Sequence, residues 1–322
     1  MKWKLLITGL LLIGLLAGTS VSAIAGSSTQ SISDLKDTSA EDSASSIALV
    51  NAEQDDLNLL PVTGDNDKVT IQGGFNGIWG INPSVDESEG RVVGLYGTVV
   101  KEDSSSYGFI RGVYTNRQGK LGGFLAGRYA DGNYRGIWHS ATGDIKGVLA
   151  GKYTISTNDI EDVINHFFGR WTTSDRQRSG YMKGTFSSAV SIKVAGIFGG
   201  KWSYKNSTEN EVSNPNIDGI LKGHFGVITL SDGTTIECFR GGWRSESEGT
   251  GGRLMGIGIR GRFYGIWRTA NGETRGYLTG RYDQRSFRGL WGAMGSEPEG
   301  TLWGRYGRLP LVESTPELSE EG

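Results

Sequence analysis

Cysteine is all but absent from this chain. Cys238 stands alone, so an intrachain disulfide framework is excluded and stability must come from packing or repetition. Proline is nearly as scarce: between residues 69 and 309 only Pro83, Pro215 and Pro298 occur, which excludes collagen and Pro-rich linkers. Histidine is limited to His139, His166 and His224, too isolated to give a close metal-ligand spacing, and neither metal nor cofactor is expected. The glycine-rich stretches lack the Lys-Ser/Thr ending and following helix of a phosphate loop. Acids such as Asp86, Glu87, Glu89 and Asp103 fall in expected loops, and nothing in their spacing selects a glycosidase pair. Gly64-Asp65-Asn66-Asp67 lacks the later bidentate acid of a calcium loop. With no catalytic set, a non-enzymatic protein is expected.

Long apolar runs are missing too, with one exception. Lys2 and Lys4 precede an apolar run from Leu5 to Gly18, and small residues follow, ending in Ala23-Ile24-Ala25. These are the three parts of a secretory signal peptide over residues 1–25. The run is short for a bilayer span, and no cysteine follows it to carry a lipid. The expected location is extracytoplasmic, either secreted or associated with the cell surface. Charge divides the remainder. Residues 26–68 hold two Lys against nine acids, residues 310–322 hold four Glu and no base, and residues 69–309 hold 29 Lys and Arg against 22 acids. The first segment reads as an acidic flexible spacer and the last as an acidic disordered tail, flanking a basic body.

What the body has in quantity is glycine. The chain holds 52 in 322 residues, about 16% against a usual ~7%. From Ile71 onward a Gly-containing segment ending in an aromatic recurs, as in Gly74-Phe75-Asn76-Gly77-Ile78-Trp79 and Gly123-Phe124-Leu125-Ala126-Gly127-Arg128-Tyr129. Copies ending in Trp alternate with copies ending mostly in Tyr or Phe, so two strands make one unit. Trp243, Trp267 and Trp291 follow at intervals of 24, whereas Trp138, Trp171 and Trp202 are 33 and 31 apart and imply insertions. Asn271-Gly272, Gly143-Asp144 and Asp232-Gly233 supply hairpin turns. Alternation puts Gly276, Leu278, Gly280 and Tyr282 on one side of a strand, with Tyr277, Thr279 and Arg281 on the other. Phe287, Gly289 and Trp291 join the first side. Each Gly there leaves room for a ring from a neighbouring strand. Within one insertion, Asn158 and Glu161 are placed like a capping box and Ile160, Val163, Ile164 and Phe167 recur at helical spacing, which predicts a short helix near 158–167.

The run Phe263-Tyr264-Gly265-Ile266-Trp267, an Asn-Gly turn, Gly276 to Tyr282 and then Phe287-Arg288-Gly289-Leu290-Trp291 resembles the MORN repeat, and the likeness covers residues of about 72–307. The resemblance implies hairpin arrays used for protein or lipid association, with no catalytic residues. The fold expected is all-β, tandem antiparallel β-hairpin repeats of about seven units, either an open array or a closed barrel or propeller-like ring.

Cations recur on the face opposite the Gly and aromatic residues. Arg128, Lys152, Arg262, Arg281 and Arg305 are the candidate ligand-binding residues, suited to an anionic glycan or a membrane surface. No nucleic-acid partner is expected. Cys238 offers an interchain contact, and Asn206-Ser207-Thr208 fits a glycosylation acceptor. The function expected is an exported, non-enzymatic β-repeat protein presenting a binding or structural surface to an envelope component or protein partner. The alternative is a carbohydrate-active enzyme or lectin of β architecture.

Overall fold

The computed structural model describes residues 67–83, 87–143, 145–154, 165–205 and 217–308. Strands account for most of them, and no helix occurs among the described residues. The first half runs as an antiparallel meander: β1 (Lys68–Gly80), β2 (Gly90–Val100), β3 (Ser106–Asn116), β4 (Leu121–Ala130), β5 (Asn133–Ser140), β6 (Lys146–Thr154) and β7 (Asn165–Thr173). It ends in β8 (Ser179–Tyr204), a strand of 26 residues. A second meander follows: β9 (Gly219–Leu230), β10 (Thr235–Ser245), β11 (Gly251–Ile259), β12 (Arg262–Thr269), β13 (Arg275–Tyr282), β14 (Ser286–Ala293) and β15 (Gly300–Arg308).

Two pairings close this sheet twice. The start of β8 pairs with β7 on one edge and with β1 on the other, Gly80 opposite Tyr181 and Gly73 opposite Ser188. Its later part pairs with β9 and with β15, Tyr204 opposite Gly300. The chain therefore forms two eight-stranded barrels that share β8, here called the first barrel (β1–β8) and the second (β8–β15). Of the alternatives the repeats left open, the sheet closes. Closure also removes most of the unpaired strand edges that an open array would expose.

An eight-stranded barrel has an interior just wide enough to be filled by side chains, and here they stack in tiers of four. In the second barrel Trp202, Trp243, Trp267 and Trp291 form a closed cycle of edge-to-face contacts with centroids 5.3–6.1 Å apart. Below them lie Leu221, Leu254, Leu278 and Leu302, then Phe198, Phe239, Phe263 and Phe287 in a second cycle at 6.2 Å. The first barrel repeats the scheme with Trp79, Tyr114, Trp138 and Trp171 at one end, and Tyr96, Tyr129, Tyr153 and Phe186 at the other. Each such ring pair is worth about 0.5–1.5 kcal/mol beyond its buried area.

The glycines make this packing possible. A Cβ on Gly280 would lie 2.5 Å from the Phe263 ring, and one on Gly276 would lie 2.4 Å from the Trp267 indole. Tryptophan reaches further: over the glycine of the next strand to a carbonyl of the one beyond. Trp267 Nε1 donates to Gly292 O (3.1 Å), Trp171 to Gly80 O (3.2 Å) and Trp291 to Ser203 O (3.1 Å). The last two bonds cross the closing seams. Glycine serves a different purpose in the turns, where Gly233 and Gly272 adopt φ of 79° and 76°, a region costly for other residues.

The barrels lie wall against wall. Outward side chains Val93, Leu95, Val113 and Phe124 of the first pack with Ile228, Ile236, Ile257, Tyr264 and Tyr277 of the second. The Arg262 guanidinium donates to the carbonyls of Gly119 and Gln118, each at 3.1 Å, and the Tyr264 hydroxyl to Gly119 O at 2.9 Å. A Cβ on Gly74 would come within 2.5 Å of Ile236, so the walls meet closely there.

The helix expected near 158–167 is not what its described part forms. Residues 158–164 lie outside the described residues, and Asn165, His166 and Phe167 open β7. Phe167 is needed inside the first barrel, where it meets Phe75 and Tyr134 edge to face. The expected signal peptide (1–25) and tail (310–322) lie outside the described residues, as does the spacer up to residue 66. Lys68, assigned to the spacer, begins β1.

Candidate functional site

Apolar tiers occupy most of both interiors, so the broadest polar surfaces lie on the outer walls. On the second barrel the inward positions of β13, β14, β15 and β8 are taken by Leu, Phe, Trp and Gly, so the residues between them must face out. Register then places four of these in one line: Arg281 opposite Arg288, Arg288 opposite Trp303, and Trp303 opposite Lys201. Three inter-strand steps of about 4.8 Å give the line a length of roughly 14 Å. Arg281, Arg288 and Lys201 are exposed, and Trp303 is half-buried between two cations. Arg305 lies two residues along β15 from Trp303, exposed on the same face. Among the described residues none of these cations forms a salt bridge.

Like charges directly opposite each other on a sheet repel, so the Arg281–Arg288 pair is a local cost. Asp283 in the turn between them is already engaged: its carboxylate accepts the backbone N–H of Arg285 (3.1 Å) and Ser286 (2.9 Å) and the Ser286 hydroxyl (2.8 Å). The Arg285 backbone bond, first among these, holds its carboxyl below the ordinary carboxylate range. The line therefore presents net positive charge beside a flat aromatic surface.

The five cations expected to share one surface are divided by the double closure. Arg128 and Lys152 are exposed on the first barrel, where the Arg128 guanidinium sits 4.4 Å from the Tyr107 ring centroid. Arg262 is opposite Arg281, but its guanidinium is committed to the barrel–barrel contact described above. Arg281 and Arg305 remain on the exposed wall. Arg288, Trp303 and Lys201 were missed. The short turn at Asp283 made the Arg281–Arg288 pairing accessible to reading, whereas Lys201 arrives from a strand a hundred residues distant.

Other residues with chemical potential are engaged structurally. Cys238 packs against the inter-barrel core, where burial pushes its thiol up to about 12, a poor thiolate at neutral pH. Near Tyr204 stand Asp218, Glu248 and Glu299, but Asp218 accepts the Tyr204 backbone N–H (2.7 Å) and Glu299 accepts the Ser296 hydroxyl (2.8 Å). These acids hold loop ends. No group of three His, Cys, Asp or Glu among the described residues is placed to bind a metal. At the Trp79 end of the first barrel, where Val92 stands in the tier that is all Leu in the second, a cavity of about 290 Å³ reaches from a rim bearing Glu89 and Arg178 down to that tier.

In comparisons with known proteins, no family model, no curated protein and no solved structure matches the chain.

Proposed function

We propose that the chain is an exported, non-enzymatic binding protein whose second barrel engages an acidic polysaccharide of the cell envelope. The observation that carries this reading is the in-register line Arg281–Arg288–Trp303–Lys201. Three exposed cations without salt-bridge partners among the described residues lie along this line, and an indole lies among them for sugar rings to stack on. Arg pairs bidentately with carboxylate, and a sugar face packs on an aromatic ring. The N-terminal Lys2/Lys4, apolar and small-residue sequence supports export. Charged residues midway along outward faces weigh against a lipid-facing barrel.

The test is binding of polygalacturonate to the protein and to the triple variant Lys201→Gln, Arg281→Gln, Arg288→Gln. Three exposed ionic contacts at ~0.3–1 kcal/mol each predict a loss of about 5- to 150-fold. Binding should weaken with salt. The positions face away from the packed tiers, so the melting temperature should hold. Undiminished binding in the triple variant overturns the proposal.

A lectin-like second reading is favoured by the 290 Å³ aromatic-walled cavity of the first barrel. Sugar binding that survives the triple variant but is lost in Val92→Leu, which narrows the floor of this cavity, would replace the first reading with this one.

A further inference from the structure

The second barrel breaks its own order at one pair of positions. In seven of its eight occurrences across the two barrels, the aliphatic tier residue is followed four residues later by an inward aromatic: Val92 by Tyr96, Leu125 by Tyr129, Leu221 by Phe225, Leu278 by Tyr282. On β11 the residue four after Leu254 is Gly258. The end tier that is a closed cycle in the first barrel is therefore open in the second, with Phe225, Tyr282 and Tyr306 in edge-to-face contact and the fourth ring missing.

The cross-strand partner changes with it. In the first barrel Tyr129 is opposite Gly108, which gives the ring its seat. In the second, Gly258 is opposite Glu237. A glycine–tyrosine pair has become a glutamate–glycine pair, and the carboxylate leans across the vacated place: a Cβ on Gly258 would lie 3.3 Å from Glu237 Oε2. Behind it remains a cavity of about 80 Å³, lined by the Phe198, Phe239, Phe263 and Phe287 tier and nearly devoid of polar surface. Burial, the largest effect, raises the Glu237 carboxyl above the ordinary range, while the nearby Tyr282 hydroxyl and Arg308 charge act in the opposite direction. The Tyr306 hydroxyl is spent on Asp283 O.

We propose that this barrel mouth binds a small organic cation, a methylated or short-chain ammonium whose apolar body enters the aromatic cavity while its charge rests at Glu237. The volume suits a group of roughly three or four heavy atoms, the size of a trimethylammonium head. Ring faces turned toward an ammonium supply cation–π attraction, strengthened where water is excluded. This site is distinct from the basic wall and takes a ligand of opposite charge.

The experiment compares choline with its uncharged isostere 3,3-dimethyl-1-butanol by calorimetry on the whole protein. The wild type should prefer choline by about tenfold or more. Glu237→Gln should lose that preference while keeping the neutral compound's weak affinity. The double variant Glu237→Gly, Gly258→Tyr copies the Gly108–Tyr129 pair that the first barrel already folds with, and should bind neither compound. No choline binding below about 10 mM by the wild type, an unchanged preference in Glu237→Gln, or undiminished binding in the double variant would each overturn the proposal. Retention of choline binding in the Lys201, Arg281, Arg288 triple variant separates this site from the wall.

Discussion

An inward glycine in these barrels is a seat for a ring on a neighbouring strand, and the cost of filling it follows from distance. At Gly280 a Cβ would lie 2.3 Å from Arg288 O and 2.5 Å from the Phe263 ring. Since the first obstacle is backbone, no side-chain rotation relieves it. Gly280→Val should destabilise by about 3 kcal/mol, whereas Arg281→Ala, next in sequence but exposed, should stay within ~0.5 kcal/mol. Urea unfolding of both variants checks this, and equal midpoints would refute the packing account. This much was legible in the sequence, because a period of two assigns faces whatever the sheet does at larger scale. The same alternation had placed Gly276, Leu278 and Gly280 on one side and Arg281 on the other, as the structure does. What alternation could not reveal was that Trp303 faces outward among cations, since it lies one residue from the inward Leu302 and reads as one more core aromatic.

Strands here are tied across triplets. Six inward tryptophans seat on the glycine of the next strand and bond a carbonyl of the one after, as Trp291 does over Gly300 to Ser203. Trp202 has the same seat, on Gly219, but its buried Nε1 has no hydrogen-bond partner among the described residues. The two indoles are buried alike, so Trp291→Phe and Trp202→Phe lose similar packing. They differ in the bond: Trp291→Phe leaves the Ser203 carbonyl without its donor, whereas Trp202→Phe removes an unsatisfied N–H. Trp291→Phe should be the more destabilising by about 1–2 kcal/mol, measured by the same urea titration, and the reverse order would contradict the triplet rule. The shared strand β8 is where sequence reading ran out. Its pairing with β9 slips at Ala189/Ser191 and again at Val194/Gly196, so an even-numbered inward face in the first barrel remains even-numbered in the second. Locally it reads as two ordinary repeat strands. That both lie on one strand closing two barrels depends on pairings of Phe186 with Phe75 and of Gly196 with Arg308, more than a hundred residues apart.

At the scale of the whole molecule, a shared strand and a common apolar wall couple the barrels, so unfolding should be a single transition. Arg262 decides whether the wall or the seam governs a given cation. Read from the chain alone, Arg262, Arg281 and Arg305 belong to one binding row. In the structure Arg262 bridges to the turn between β3 and β4 through two carbonyls, while Arg281 opposite it is exposed. A guanidinium bonded to two carbonyls contributes about 1.5–3 kcal/mol, and its loss leaves the carbonyls of Gln118 and Gly119 to find other donors. Arg262→Gln should therefore lower the unfolding free energy by roughly that amount, preserve one transition, and leave the polygalacturonate affinity of the folded protein nearly unchanged. Arg281→Gln should do the opposite, holding stability and weakening binding about two- to fivefold, most visibly at low salt where screening is least. Stability and binding measured on the two variants at one salt concentration form a crossed pair. If both variants lost binding equally and neither lost stability, the inter-barrel role of Arg262 would fail and the single row read from the sequence would stand in its place.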